Sequence, residues 1–61
     1  MHTDMATCLS KLANIQYKSH DFIQAIELQT KAILVEEKIL GFDHPRIAYD
    51  YSNLGLYYFS C

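Results

Sequence analysis

Sixty-one residues with 51 % hydrophobic content, and 5 Lys+Arg against 7 Asp+Glu for a net charge of −2, make a very small globular chain and exclude a disordered one. A chain of this size buries only about 60 % of the surface its unfolded form exposes, which argues against an enzyme with its own substrate pocket. The acidic balance lacks the clustered basic surface that phosphate-dominated nucleic-acid binding needs.

Other segments narrow the class further. No run approaches the roughly 18 apolar residues of a membrane span. Met1-His2-Thr3-Asp4 lacks the basic start and apolar stretch of a signal peptide. Two cysteines, Cys8 and Cys61, are too few for a disulfide framework, so the expected compartment is the reducing cytosol with both thiols free.

The first predicted helix runs from about residue 3 to 18. Met5, Leu9, Leu12 and Ala13 follow the three-and-four rhythm of one face, and Thr3 or Asp4 can cap the start by accepting a backbone N–H. Lys18-Ser19-His20-Asp21 is short and polar, fitting a tight connection between antiparallel helices with Asp21 or Ser19 as the next cap. The second helix spans about 22–40. Its stripe is Phe22, Ala25, Ile26, Ala32, Ile33, Ile39 and Leu40, interrupted by Gln29 and Glu36 where a longer apolar side chain is expected. Gly41 then releases the chain. The third helix runs over about 45–60. Pro45 suits its first turn, Asp43 can cap it, and Gly55 in its interior suggests a close helix–helix approach.

Sliding the chain over itself by 42 residues lays the third helix on the first. His2 meets His44, Ala6 meets Ala48, Ser10 meets Ser52 and Leu12 meets Leu54, while Met5 falls on Ile47, Ala13 on Gly55 and Tyr17 on Phe59. A period of this order in an all-helical chain means stacked helix pairs, which bury their apolar faces only against neighbours. The expected architecture is all-α: an antiparallel helix pair plus one further helix, an α-solenoid segment over 1–61 whose array is incomplete. The third helix then lacks its mate, and the 61-residue chain alone is expected to fold weakly or self-associate.

The residues Leu12-Ala13, Tyr17, Phe22, Ala25 and Ala32 resemble a tetratricopeptide repeat. The long form ending Leu40-Gly41-Phe42-Asp43-His44-Pro45 resembles the repeats of kinesin light chains. Together with the runs Met5–Tyr17, Gln29–Lys38 and Tyr51–Phe59, it resembles the repeats of the clustered mitochondria protein family more closely still. That resemblance implies a large cytoplasmic protein that binds mRNAs for mitochondrial proteins and governs mitochondrial distribution.

Chemistry-bearing residues are few. His2, His20, His44, Cys8 and Cys61 show no ligand spacing, so neither a metal nor another cofactor is expected, and the paired positions of His2 and His44 suggest a role at a helix start. Cys8 reads as a buried structural thiol. Glu36 and Glu37 point about 100° apart on a helix and do not form a catalytic pair, and no catalytic residue is expected. Lys11, Lys18, Lys31, Lys38 and Arg46 are scattered, so RNA contact, for which Lys11, Lys18 and Tyr57 are the candidates, is the weaker alternative. Tyr17, Tyr51, Tyr58 and Phe59 read as core.

Partner binding remains. First helices of stacked pairs line an inner, concave surface, and the positions turned from the Leu9/Leu12/Ala13 face include Thr7, Ser10, Lys11, Asn14 and Lys18. Their repeat equivalents are Tyr49, Ser52, Asn53, Leu56 and Ser60. The expected peptide groove is Ser10, Lys11, Asn14, Lys18, Ser52, Asn53 and Leu56. It would bind a protein or peptide beside neighbouring repeats of the array, without membrane contact; a kinesin-light-chain-like cargo site is the other alternative.

Overall fold

The computed structural model describes residues 4–41 and 43–60. These form three helices and no strand, so the all-α expectation holds: α1 (Asp4–Lys18), α2 (Phe22–Leu40) and α3 (Pro45–Ser60). The roles read for Thr3 and His2, and the residues Phe42 and Cys61, lie outside the described residues, as does the side chain of Asp4.

Local chemistry places the ends. After α1, the Asp21 N–H donates to Gln16 O (2.8 Å) and the His20 N–H to Tyr17 O (3.0 Å), with His20 at φ 67°. This paired pattern around one left-handed residue closes off the carbonyls of the last turn. Asp21 then caps α2, accepting from the Gln24 N–H at 3.4 Å. At the far end Gly41 takes φ 87°, ψ 172°, a region open essentially to glycine alone, while its N–H donates to Glu37 O at 3.1 Å. The start of α3 departs from expectation. His44, not Asp43, closes it: His44 Nδ1 accepts from the Arg46 N–H (3.1 Å) and its carbonyl accepts from the Ile47 N–H (2.9 Å).

Four contacts set the helix directions. Tyr17 packs on Phe22 beside the turn, with ring centroids 5.5 Å apart, and Gln29 Nε2 donates to Ser10 Oγ at 3.4 Å further along, so α1 and α2 are antiparallel. Arg46 at the start of α3 donates to Thr7 near the start of α1, and Ser60 Oγ at its end lies 3.3 Å from the Tyr17 hydroxyl, so α3 runs parallel to α1. Between them lies α2, packed on both.

The core is built mainly from small side chains: Ala6, Ala13, Ala25 and Ala32 are wholly buried, joined by Ile33, Ile47 and Tyr57. Alanine buries little area, so stability here comes from backbones approaching closely enough for many weak atom contacts to add up. Ala13, Ala25 and Tyr57 form its centre, with Tyr17, Ile26 and Leu28 packed around them.

Several expected core positions are exposed. On α1 the packed face is Ala6, Leu9, Ser10, Ala13 and Tyr17, while Met5 (63 % exposed) and Leu12 point outward. Each neighbours a small residue of the packed face, and one step along a helix turns a side chain by about 100°. On α2, Gln29 and Glu36 are fully buried at the centre of the stripe and Ile39 lies largely outside it. Cys8 is an exposed free thiol, not a buried one. Tyr51, Tyr58 and Phe59 are exposed, Phe59 at 90 %, because α3 meets α2 through Ile47, Asp50 and Tyr57 instead. Gly55 is also exposed, and a Cβ built on it meets nothing within 4 Å, so the close approach expected there is absent among the described residues.

A candidate interaction groove between α1 and α3

Two stripes face each other across the parallel helices. On α1, Thr7, Ser10, Lys11 and Asn14 recur at three- and four-residue steps; on α3, Arg46, Tyr49, Asn53 and Tyr57 do the same. They line a groove of about 250 Å³. That is below the roughly 300–1,000 Å³ of small-molecule sites, so it suits one or two side chains of a longer ligand better than a compact metabolite.

One end of the groove is held by charge. Arg46 Nε donates to Glu36 Oε2 at 2.7 Å and its Nη2 donates to Thr7 Oγ1 at 2.8 Å, joining all three helices through one side chain. Glu36 is fully buried, whereas the Arg46 side chain is 41 % exposed and still presents part of its guanidinium to the groove. The other end is aromatic. Tyr57 stacks obliquely on Tyr17, with centroids 4.9 Å apart and planes at 31°, and its ring forms both core and groove wall.

Of the expected groove residues, the structure brings Ser10, Lys11, Asn14 and Asn53 together. Lys18, Ser52 and Leu56 are exposed outside it. Repeat equivalence misplaces the last two because α1 is buried through Ala6 and Ala13 whereas α3 is buried through Ile47, Asp50 and Tyr57, which do not stand 42 residues from them. Each helix therefore turns a different register toward the groove. The expected groove left out Thr7, Arg46, Tyr49 and Tyr57, the last having been considered for RNA contact alone. A signal for Arg46 existed: Glu36 occupies a stripe position of α2, and a carboxylate there requires a cation close by.

Among the described residues no group of three His, Cys, Asp or Glu side chains is placed to hold a metal ion. No helix there is long and apolar enough to cross a membrane. Burial pushes the Tyr57 hydroxyl above its ordinary value of 10.0, with smaller contributions from Tyr49 and Tyr17. Tyr51 is raised as well, first because its hydroxyl donates to Glu37 Oε2 at 3.0 Å. A raised value in the folded state favours the neutral phenol. Stability from this source is complete below the unfolded value of about 10 and is lost as pH rises through the folded one. An absorbance titration of the folded chain at 295 nm is therefore expected to show late-ionising components from Tyr51 and Tyr57, the second of which Tyr57→Phe removes. If all the tyrosines of wild type ionise together near the ordinary value, the burial of Tyr57 in solution is wrong.

The molecule is thus a small all-α segment whose distinguishing surface is a polar and aromatic groove between two parallel helices. Nearly the whole chain matches a short stretch of much longer proteins. It is 37 % identical over 60 residues to the human clustered mitochondria protein homolog, covering 98 % of this chain and 5 % of that protein. It is 40 % identical over 58 residues to the clustered mitochondria protein of Arabidopsis thaliana (95 % and 4 %) and 35 % identical over 60 residues to protein clueless of Drosophila willistoni (98 % and 4 %). The chain is therefore homologous to one segment of these proteins and spans about a twentieth of their length or less. No protein-family profile matches it, and no solved structure does.

Proposed function

We propose that this chain is a non-catalytic protein–protein interaction module, a tetratricopeptide-like repeat segment of a cytoplasmic scaffold of the clustered mitochondria kind, acting in mitochondrial distribution. The observation that carries the binding role is the groove, where Asn14 and Asn53 stand among the lining residues of two parallel helices. A side-chain amide both donates and accepts, so it can read a peptide backbone whatever its sequence. Tyr49 and Tyr57 add rigid aromatic contact at low entropic cost. The names of the relatives support the mitochondrial part of the reading. RNA contact is less favoured, because one of the two groove cations, Arg46, is already bonded to the buried Glu36.

The test places Asn14→Ala with Asn53→Ala in a protein carrying the whole array and measures its affinity for peptides selected on the wild-type array. At least a tenfold loss is expected, since two amide hydrogen bonds contribute about 1 kcal/mol each. Unchanged affinity for every selected peptide, or RNA crosslinks at Lys11 and Tyr57 without peptide binding, overturns the proposal.

A further inference from the structure

Beneath the groove lies a set of buried acceptors that the chain itself does not satisfy. Gln29 and Glu36 are 0 % exposed and Asp50 is 2 % exposed. Each keeps one oxygen without a hydrogen-bond partner among the described residues: Gln29 Oε1, Glu36 Oε1 and Asp50 Oδ2. All three are acceptors, so what is missing is donors. Two of the residues touch the groove lining directly, Gln29 through Ser10 and Glu36 through Arg46. Asp50 stands four residues after Arg46 and seven before Tyr57, steps that return to nearly the same side of a helix, and both of those residues line the groove. Because Arg46 meets Glu36 and Tyr57 packs with Ala25, Asp50 between them lies against the stretch of α2 that carries Gln29. A buried carboxylate is costly unless a cation or several donors meet it. Arg46 serves Glu36, and among the described residues no cation pairs with Asp50.

We infer that the groove takes an arginine side chain of its peptide ligand, whose guanidinium enters between Arg46 and Tyr57 and donates to Asp50 Oδ2 and Gln29 Oε1. This rests on the reading of the groove as a peptide site and adds which side chain it selects. A guanidinium carries five N–H donors in a rigid fork and is more weakly hydrated than an ammonium, so it suits several fixed acceptors behind a narrow opening. Tyr49 and Tyr57 line the same groove and offer ring faces to a cation. The volume of about 250 Å³ admits one such side chain. Charge does not oppose it. Glu36 offsets Arg46, Asp50 offsets Lys11, and the Lys11 ammonium stands on a flexible stem at the exposed rim. An ionised acidic side chain in the same place meets acceptor oxygens and has nothing to donate to them.

The probe is a set of decapeptide pools with randomised flanks and one fixed central residue, arginine, citrulline, leucine or glutamate, applied to an immobilised protein carrying the whole array. Citrulline keeps the shape of arginine and loses its charge. The arginine pool is expected to be retained at least about tenfold more than the citrulline pool, and the glutamate pool least. Asp50→Asn is expected to cut that preference below about threefold. The urea midpoint of the same variant is expected to hold or rise, since the change removes an unpaired buried charge. An arginine preference that survives Asp50→Asn overturns the inference, because the selecting group then lies elsewhere in the array. A lower urea midpoint for Asp50→Asn overturns it as well, since the carboxylate is then a partner within the fold. Retention of the leucine or glutamate pool above the arginine pool also overturns it, and leaves the peptide groove standing where Asn14→Ala with Asn53→Ala lowers that retention. No retention of any pool defeats both readings.

Discussion

Arg46→Ala is expected to destabilise the chain by about 3 kcal/mol, the low end of the loss seen when one partner of a buried ion pair is removed. The low end applies because the Arg46 side chain is 41 % exposed while Glu36 is fully buried, so the arginine gives up little hydration in pairing. Without the guanidinium, a fully buried carboxylate is left without its cation, and Thr7 loses its link to α3. A folded domain of this length has roughly 0.05–0.15 kcal/mol of stability per residue, so the loss rivals the whole and the variant is expected to melt near room temperature. Urea titration followed by circular dichroism measures it. The companion variant Arg46→Met with Glu36→Leu removes both charges at similar volume and is expected to recover most of the loss, as apolar replacements of buried pairs do. A single variant within about 0.5 kcal/mol of wild type, the ordinary range for surface changes, would show that Glu36 is hydrated in solution.

The second large effect centres on the aromatic end of the groove. Tyr57→Ala is expected to cost about 3–5 kcal/mol, the range for emptying a buried aromatic site. Tyr57 is 3 % exposed, contacts the Ala13–Ala25 centre and stacks on Tyr17, so its removal detaches the C-terminal half of α3 from both other helices. Tyr57→Phe keeps the ring and is expected to retain most of the stability, which separates loss of packing from loss of the hydroxyl. Amide exchange gives a sharper reading: Tyr57→Ala is expected to release protection first in residues 54–60 and only later in α2. Uniform loss across the three helices would mean that the ring anchors the whole fold cooperatively.

Much of this molecule was legible from its residues. Pro45, Gly41 and the polar turn at 18–21 punctuate three helical runs, because proline, glycine and capping side chains act on the backbone within a few residues of themselves. Asp21 caps α2 for that local reason. The reading erred on which side of each helix is covered. Hydrophobicity selected Met5, Leu12, Tyr51 and Phe59 for the core, yet α1 closes on Ala6 and Ala13 beside the first two, and α3 closes on Ile47, Asp50 and Tyr57. The groove was half legible. Its α1 stripe follows from position along one helix, but its α3 stripe depends on how α3 is rotated against α2, and repeat equivalence assumed the wrong rotation for Ser52 and Leu56.

What the sequence determined by itself was therefore local and periodic: three helices, their spans and the likeness to one stretch of the clustered mitochondria proteins. Only the tertiary structure decided that Gln29, Glu36 and Asp50 are interior, that Arg46 joins all three helices and that one face of α3 is open. The reason is physical. A helix's period is set by its own backbone, but which side is buried depends on how closely a neighbour can approach, and here small side chains govern that approach more than apolar ones.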